Sequence, residues 1–312
     1  MAADERTNLL LKARPTPRQL ADRLRPVDGV WPDGLELYLA AADLSDAQQV
    51  DAMVERLLSA DVPEDFAWLI EGPVDSLDGA DFDVTRESAA DRLVIQRLGG
   101  IARRVGARAV NIHVIAPSPE LSRLTLECRA ALLERAVPFL AEFVEIMHAA
   151  GAVPTVEHMP PVLRMRRADY VFTPIGMASA DFHFLFERVS GLRTLADTSH
   201  AGLYLNARRL APDPHFAWSG PLRMYLDQLP KEPPDLVGFM AALPELENAQ
   251  LSNAAGVLGE GLPYADGDFN LDAATVWLAR KVRHIVTETL EANNDEAVLM
   301  RDALRRMRMA LA

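Results

Sequence analysis

Cysteine is nearly absent from this 312-residue sequence. The single cysteine, Cys128, cannot form a disulfide within the chain, which fits a reducing compartment. The sequence also lacks a run of about 18 uncharged apolar residues, the length that a transmembrane helix needs. Its first residues lack the basic and apolar segments of a secretory signal peptide. We therefore expect a cytoplasmic protein.

Basic residues are in the minority, because 32 Lys and Arg stand against 45 Asp and Glu and give a net charge of −13. A negatively charged chain repels nucleic acids and anionic membranes, so neither is an expected partner. The remaining composition, 49% hydrophobic and 25% charged, is typical of a compact globular protein. We therefore expect a folded protein with a full hydrophobic core.

Short apolar runs alternate along the chain with longer stretches of helical periodicity, a pattern typical of βαβ units. Eight such runs on a chain of this length, without a Gly/Ser-rich linker, favour a (β/α)8 TIM barrel spanning residues 1–312 as a single domain. The predicted strands are Asn8–Leu11, Gly34–Leu39, Phe66–Ile70, Ala109–Ile112, Val153–Val156, Leu192–Ala196, Ala249–Ser252 and His284–Thr287.

Three connections are longer than ordinary βα loops, namely residues 159–179, 201–246 and 254–271. Long ordered connections usually carry function, so we expect all three to lie on the active face. A helical stretch from Leu121 to Met147 contains Pro138, which predicts a kink or a break near Val137.

Polar residues follow the predicted strands at their carboxyl ends, which in a parallel barrel meet at one mouth. Several carboxylates in one place must raise their pKa values or share a cation. Glu157, Asp197, Gln250 and Glu288 can supply four oxygen ligands, a set that suits Mn²⁺ or Mg²⁺, with Co²⁺ or Zn²⁺ as alternatives. His113 and His200 offer nitrogen atoms nearby.

Five segments, VEHMPP, DTSHAGLYLNA, AQLSNA, GEGLPYADGDFNL and IVTETLE, resemble the xylose-isomerase-like TIM-barrel superfamily in their order and spacing. This superfamily includes sugar and sugar-phosphate isomerases and epimerases, as well as endonuclease IV. The resemblance implies a single metal ion held by Glu157, Asp197 and Glu288. Where the family has a histidine and an aspartate, this sequence has Gln250 and Asn253.

The nuclease branch of the superfamily uses three zinc ions and additional histidines. In this sequence Glu71 stands where one of those histidines is expected, and the segment GEGLP lacks the D-x-H pair of that branch. A three-zinc abasic-site endonuclease is therefore the least favoured reading.

The resemblance further implies that Glu157 and Glu288 move a proton on and off a carbon beside a carbonyl, giving isomerisation or epimerisation of a small sugar, sugar phosphate or polyol-derived compound. A dehydratase or lyase on the same scaffold and a metal-free sugar-binding barrel stay open as alternatives. Related barrels are commonly oligomers, so we expect a homo-oligomer. The side chains predicted to contact substrate are Lys12, Glu71, His113, Arg164, His200 and Asn253.

Overall fold

The computed structural model describes residues 6–27 and 31–312. These residues form twelve strands: β1 (Asn8–Ala13), β2 (Gly34–Tyr38), β3 (Ala67–Glu71), β4 (Ala109–His113), β5 (Val153–Glu157), β6 (Val162–Leu163), β7 (Val171–Phe172), β8 (Arg193–Asp197), β9 (Leu246–Leu251), β10 (Asn253–Ala255), β11 (Gly259–Leu262) and β12 (His284–Thr287).

Eight of the strands close into a parallel barrel in the order β1, β2, β3, β4, β5, β8, β9, β12. Each predicted apolar run falls on one barrel strand, so the expected (β/α)8 barrel is confirmed. The barrel strands are buried over most of their length, as parallel strands covered on both faces are.

The barrel strands are covered by apolar side chains on both faces, one outside the barrel and one inside it. The larger core lies between the strands and the helices, whereas Leu10, Ala67, Leu69, Ala109 and Val286 form a separate cluster that fills the inside of the barrel. Successive side chains along a strand point to opposite faces. The residues two positions beyond this inner cluster therefore also point inward, toward the mouth.

The described residues also form eleven helices: α1 (Pro17–Arg23), α2 (Ala41–Leu44), α3 (Ala47–Leu58), α4 (Ala89–Val105), α5 (Leu126–Ala150), α6 (Ser179–Arg188), α7 (Thr198–Arg209), α8 (Ser219–Leu226), α9 (Leu236–Ala242), α10 (Leu271–Leu278) and α11 (Val298–Leu311). Among these helices, none has the length and apolar character needed to cross a membrane.

Helix α5 continues through Pro138, so the helix does not break near Val137 as one of our expectations had it. Proline removes one backbone hydrogen bond from a helix interior. The buried face around Ala136, Phe139 and Leu140 packs against the core on both sides of the proline, and this packing offsets the loss.

The three long connections differ from one another. Residues 159–179 contain the antiparallel pair β6 and β7, and residues 254–271 contain β11, which pairs with β10. The expectation of a long loop over 201–246 is wrong, because helices α7, α8 and α9 occupy most of that segment. Helix α7 starts at once after β8, since the Asp197 side chain caps its first turn.

His284 at the start of β12 is buried and bonded to Asn248, with 2.8 Å between Nδ1 and Oδ1. Burial lowers the pKa of His284 to about 4, with Arg108 and Arg283 adding to the effect. The unfolded chain binds a proton at this residue below about pH 6.5. The stability that the neutral ring contributes is therefore lost as the pH falls from about 6.5 toward 4.

We predict that His284→Gln, which keeps a donor for Asn248, reduces the acid sensitivity of folding. Between pH 7 and pH 4.5 the wild type is expected to lose up to about 3 kcal/mol more stability than the variant. Urea unfolding at several pH values measures this difference. Parallel pH profiles for the two proteins would contradict it.

Candidate functional site

A cavity of about 460 Å³ opens at the carboxyl ends of the barrel strands. Its charged and polar lining comes from many parts of the chain, but none of the described residues between 201 and 246 contributes. The lining residues that matter for chemistry are Lys12, Glu71, His113, Glu157, Arg164, Arg166, His200, Glu260 and Glu288. Sequence-distant strand ends thus meet in one place, as expected of a parallel barrel.

Lys12 forms the centre of a cluster of carboxylates on one side of the mouth. Its ammonium group contacts both Glu71 and Glu288, and it lies 3.8 Å from Glu36 Oε1. Burial disfavours the charge, but Glu288 and then Glu71 outweigh it and raise the pKa of Lys12 well above its ordinary value. Lys12 is therefore a permanent positive charge at this site.

The carboxylates around Lys12 differ in their protonation. Burial opposes ionisation of Glu71, but Lys12 and His113 outweigh it and lower its pKa to about 2. Burial raises the pKa of Glu36 to about 8, because Lys12 offsets only part of the cost. Burial likewise raises the pKa of Glu288 well above its ordinary value, with Glu71 and Asp197 adding repulsion.

Glu157 is the centre of the other side of the mouth. Its Oε2 accepts a hydrogen bond of 2.6 Å from Asn111 and lies 3.5 Å from His113 Nε2, and its Oε1 lies 2.9 Å from His200 Nδ1. His113 Nε2 also lies 3.2 Å from Glu71 Oε1. Burial opposes the charge of Glu157, but His113 and His200 lower its pKa below the usual range.

His200 is held from several directions. Its backbone N–H donates to Asp197 Oδ1 at 2.6 Å, and its Nε2 lies 3.1 Å from Glu260 Oε1 on β11. Glu260 Oε2 in turn pairs with Arg166 at 3.0 Å. Although burial disfavours the imidazolium, Asp197, Glu157 and Glu260 raise the pKa of His200 well above its ordinary value. Burial raises the pKa of Asp197 to about 6.

Two site residues, Glu36 and Glu260, were not among those predicted from the sequence. Glu36 lies inside the apolar strand GLELY, and it pairs in register with Lys12 on the neighbouring strand. A single glutamate in a buried strand was the available signal. Glu260 reaches His200 only because β11 folds back on β10, and no local pattern indicates that contact.

Two groups of side chains can hold a metal ion, each with its ligand atoms within 4.8 Å of one another: Glu71, His113 and Glu157, and Glu157, Asp197 and His200. Of the four predicted ligands, Glu157 and Asp197 fall together in the second group. Gln250 and Glu288 each keep one buried oxygen, Oε1 and Oε2 respectively, that has no hydrogen-bond partner among the described residues. Unpaired buried acceptors fit a cation.

Two predicted substrate contacts are engaged elsewhere. The Asn253 side chain donates to the carbonyls of Tyr264 and Phe269 at 3.1 and 3.0 Å, so it holds the connection before α10. Arg164 lines the cavity, but its guanidinium pairs with Asp81 and, at 3.0 Å, with Asp169. The roles of both residues in substrate binding stay predictions.

No protein-family profile and no curated protein sequence matches this chain. Solved structures do match. A D-tagatose 3-epimerase-like protein aligns with a TM-score of 0.63 and 13% identity over 97% of each chain. 3-Keto-D-glucoside 4-epimerase from E. coli aligns with a TM-score of 0.58 and 13% identity, over 97% of this chain and 99% of that one.

A xylose isomerase domain protein from Planctomyces limnophilus also aligns, with a TM-score of 0.58 and 11% identity over 98% of this chain and 97% of that chain. The expected likeness to xylose-isomerase-like barrels is thereby confirmed for the fold. At such low identity the likeness extends to the fold alone.

Lys12→Met is predicted to destabilise the protein, because Glu71 and Glu288 would face each other without a buried cation. Breaking a buried ion pair costs about 3–5 kcal/mol. We expect the melting temperature to fall by roughly 5–15 °C, measured by calorimetry. The matched control is Lys281→Met at an exposed position, expected to change little. Equal melting temperatures for the two variants would show that Lys12 does not stabilise the fold through its contacts with Glu71 and Glu288.

Proposed function

We propose that this protein is an isomerase or epimerase of a small polyhydroxy carbonyl compound and that it depends on one divalent metal ion. The observation that carries the proposal is the placement of Glu157 and Glu288. Both line the cavity, one at the end of β5 and the other directly after β12, and these two strands are not neighbours in the barrel. Two carboxyl groups on separate sides of a bound substrate can remove a proton and return one.

The residues that would hold the metal are Glu157, Asp197, Gln250 and Glu288. All four present oxygen atoms, which favours Mn²⁺ or Mg²⁺ over softer ions. A bound divalent cation supplies Lewis acidity toward a carbonyl oxygen of the substrate.

The chain's own residues account for proton movement. Asn111 and His200 hold the Glu157 carboxylate in place from two directions, so that it can accept a proton from a carbon beside the carbonyl. Glu288 lines the cavity on another strand, so it can return a proton to the substrate from its own side of the mouth. The carbon that receives the returned proton decides between isomerisation and epimerisation.

Substrate hydroxyls would meet a polar wall. Lys12, Glu71 and His113 lie together along the cavity and offer both donors and acceptors. Two of the structural neighbours are a D-tagatose 3-epimerase-like protein and a 3-keto-D-glucoside 4-epimerase. Ketoses and keto-glycosides are therefore the first compounds to test. The dehydratase alternative eliminates water and therefore gives a product of lower mass than its substrate. Isomerisation and epimerisation leave the mass unchanged, so mass spectrometry of the product distinguishes them.

A metal-free sugar-binding barrel is the second candidate, and one specific observation favours it. Acidic and basic side chains alternate across the mouth in a series of contacts from Arg166 through Glu260, His200, Glu157, His113, Glu71 and Lys12 to Glu288. Side chains of the protein thus already pair with these carboxyl groups without a metal ion. Retained sugar binding without proton exchange would support this candidate.

The metal requirement predicts about one equivalent of Mn²⁺ per chain after dialysis against Mn²⁺ and removal of free ions, measured by elemental analysis. Asp197→Ala is expected to lose that ion. Asp302→Ala, which alters an exposed carboxylate on α11, serves as the control and is expected to keep it. A wild type that binds no metal would contradict the metal requirement and favour the sugar-binding barrel. About three bound zinc ions per chain would favour the three-zinc endonuclease instead.

The two-carboxylate transfer predicts that the wild type exchanges a carbon-bound hydrogen of its substrate with deuterium from solvent, measured by NMR. Glu157→Gln and Glu288→Gln are each expected to slow this exchange at least ~100-fold while sugar binding persists. Glu247→Gln, at the opposite end of β9, is the control. Exchange at the wild-type rate in either site variant would refute the assignment.

A further inference from the structure

The orientation of the Gln250 side chain is set by two carboxyl groups. Its Nε2 donates to Glu36 Oε1 at 2.6 Å and to Glu71 Oε2 at 3.0 Å. All three residues are buried, with Gln250 0% and Glu36 1% exposed. Water therefore does not compete for these hydrogen bonds, and they are strong because an acceptor is charged.

The opposite orientation of the amide is unfavourable. Turning it would place the Gln250 oxygen against the ionised Glu71 carboxylate, which can only accept, and would lose the hydrogen bond that Glu71 accepts from Nε2. Lys12 contacts Glu71 and lies 3.8 Å from Glu36, so both acceptors are themselves held. The amide nitrogen consequently faces Glu36 and Glu71, and the amide oxygen faces away from them.

The free oxygen is the consequence of this arrangement. Gln250 Oε1 is buried and finds no hydrogen-bond partner within the part of the chain that the structure describes. Gln250 also stands beside Asp197 in the register of β8 and β9. The oxygen is thus available next to another predicted ligand.

We propose that Glu36 is a positioning residue for the cation site: together with Glu71 it clamps the Gln250 amide so that its oxygen is presented to the metal ion. This inference rests on the proposed metal dependence. It gives Gln250 a defined function as a neutral oxygen ligand. Glu36 acts only through Gln250 and does not itself bind the ion.

Variants at position 36 separate the orientation of Gln250 from the presence of a carboxyl group. Glu36→Met removes both the carboxyl group and the acceptor, whereas Glu36→Gln removes the carboxyl group but keeps an oxygen that can accept from Gln250. We expect Glu36→Met to weaken Mn²⁺ binding about 10-fold by calorimetry, within the range for partners that orient metal ligands. Glu36→Gln is expected to recover most of that loss. Glu247→Gln is the control for the same replacement of a carboxyl group by an amide at an unrelated position, where Glu247 pairs with Arg283.

A spectroscopic readout accompanies the affinities. The visible absorption of bound Co²⁺ reports its ligands, so Glu36→Met and Gln250→Met are expected to shift it in the same direction, while Glu36→Gln leaves it close to the wild type. If Glu36→Met does not fold, Gln250→Met still tests the amide oxygen, since unchanged affinity there overturns the inference.

The outcomes separate the two proposals. A wild type that binds no divalent cation overturns both the metal dependence and the role of Glu36. A wild type that binds Mn²⁺, with Glu36→Met equal to it in affinity and in the Co²⁺ spectrum, overturns only the positioning role. Equal weakening in Glu36→Gln and Glu36→Met would show that the carboxyl group itself, and not the orientation of the Gln250 amide, matters, and would overturn the positioning role.

Discussion

Charge compensation at the barrel mouth is the constraint on which the site depends. Carboxyl groups on or directly after five barrel strands would repel one another in a buried space if all were ionised, and each must be paired, protonated or bound to a cation. Lys12 and His200 supply two positive charges, while burial leaves Glu36 and Glu288 with raised pKa values. Lys12 and His200 do not balance all of these carboxyl groups, and the proposed metal ion would pair with those that remain.

The alternation of side chains along parallel strands made much of this arrangement predictable. An apolar layer fills the barrel below, and the next inward position on several strands is charged, so several of the predicted strand-end residues line the cavity, although Asp197, Gln250 and Asn253 do not. Lys12, Glu71, His113, Glu157 and Glu288 were found in this way. The same logic applies to Glu36, but its position in the middle of an apolar run concealed it.

Contacts made by the segments that connect the barrel strands could not be predicted from the sequence. Glu260 depends on the return of β11 along β10, and the contact between Asn253 and the backbone near Tyr264 depends on the same turn. Residues 201–246 were predicted to be a long connection, but helices α7 to α9 occupy most of them. Substrate identity lies in such details, which a fold shared at 13% identity does not fix.

The Arg166–Glu260 pair joins the segment between β6 and β7 to the β10–β11 hairpin above His200. Because the Arg166 side chain is 59% exposed, dissolved ions screen this pair more than they screen the buried contacts beneath it. Ionic strength therefore acts more strongly on the rim of the cavity than on its floor. We expect salt to change the rates at which ligands enter and leave more than it changes the interactions at the floor.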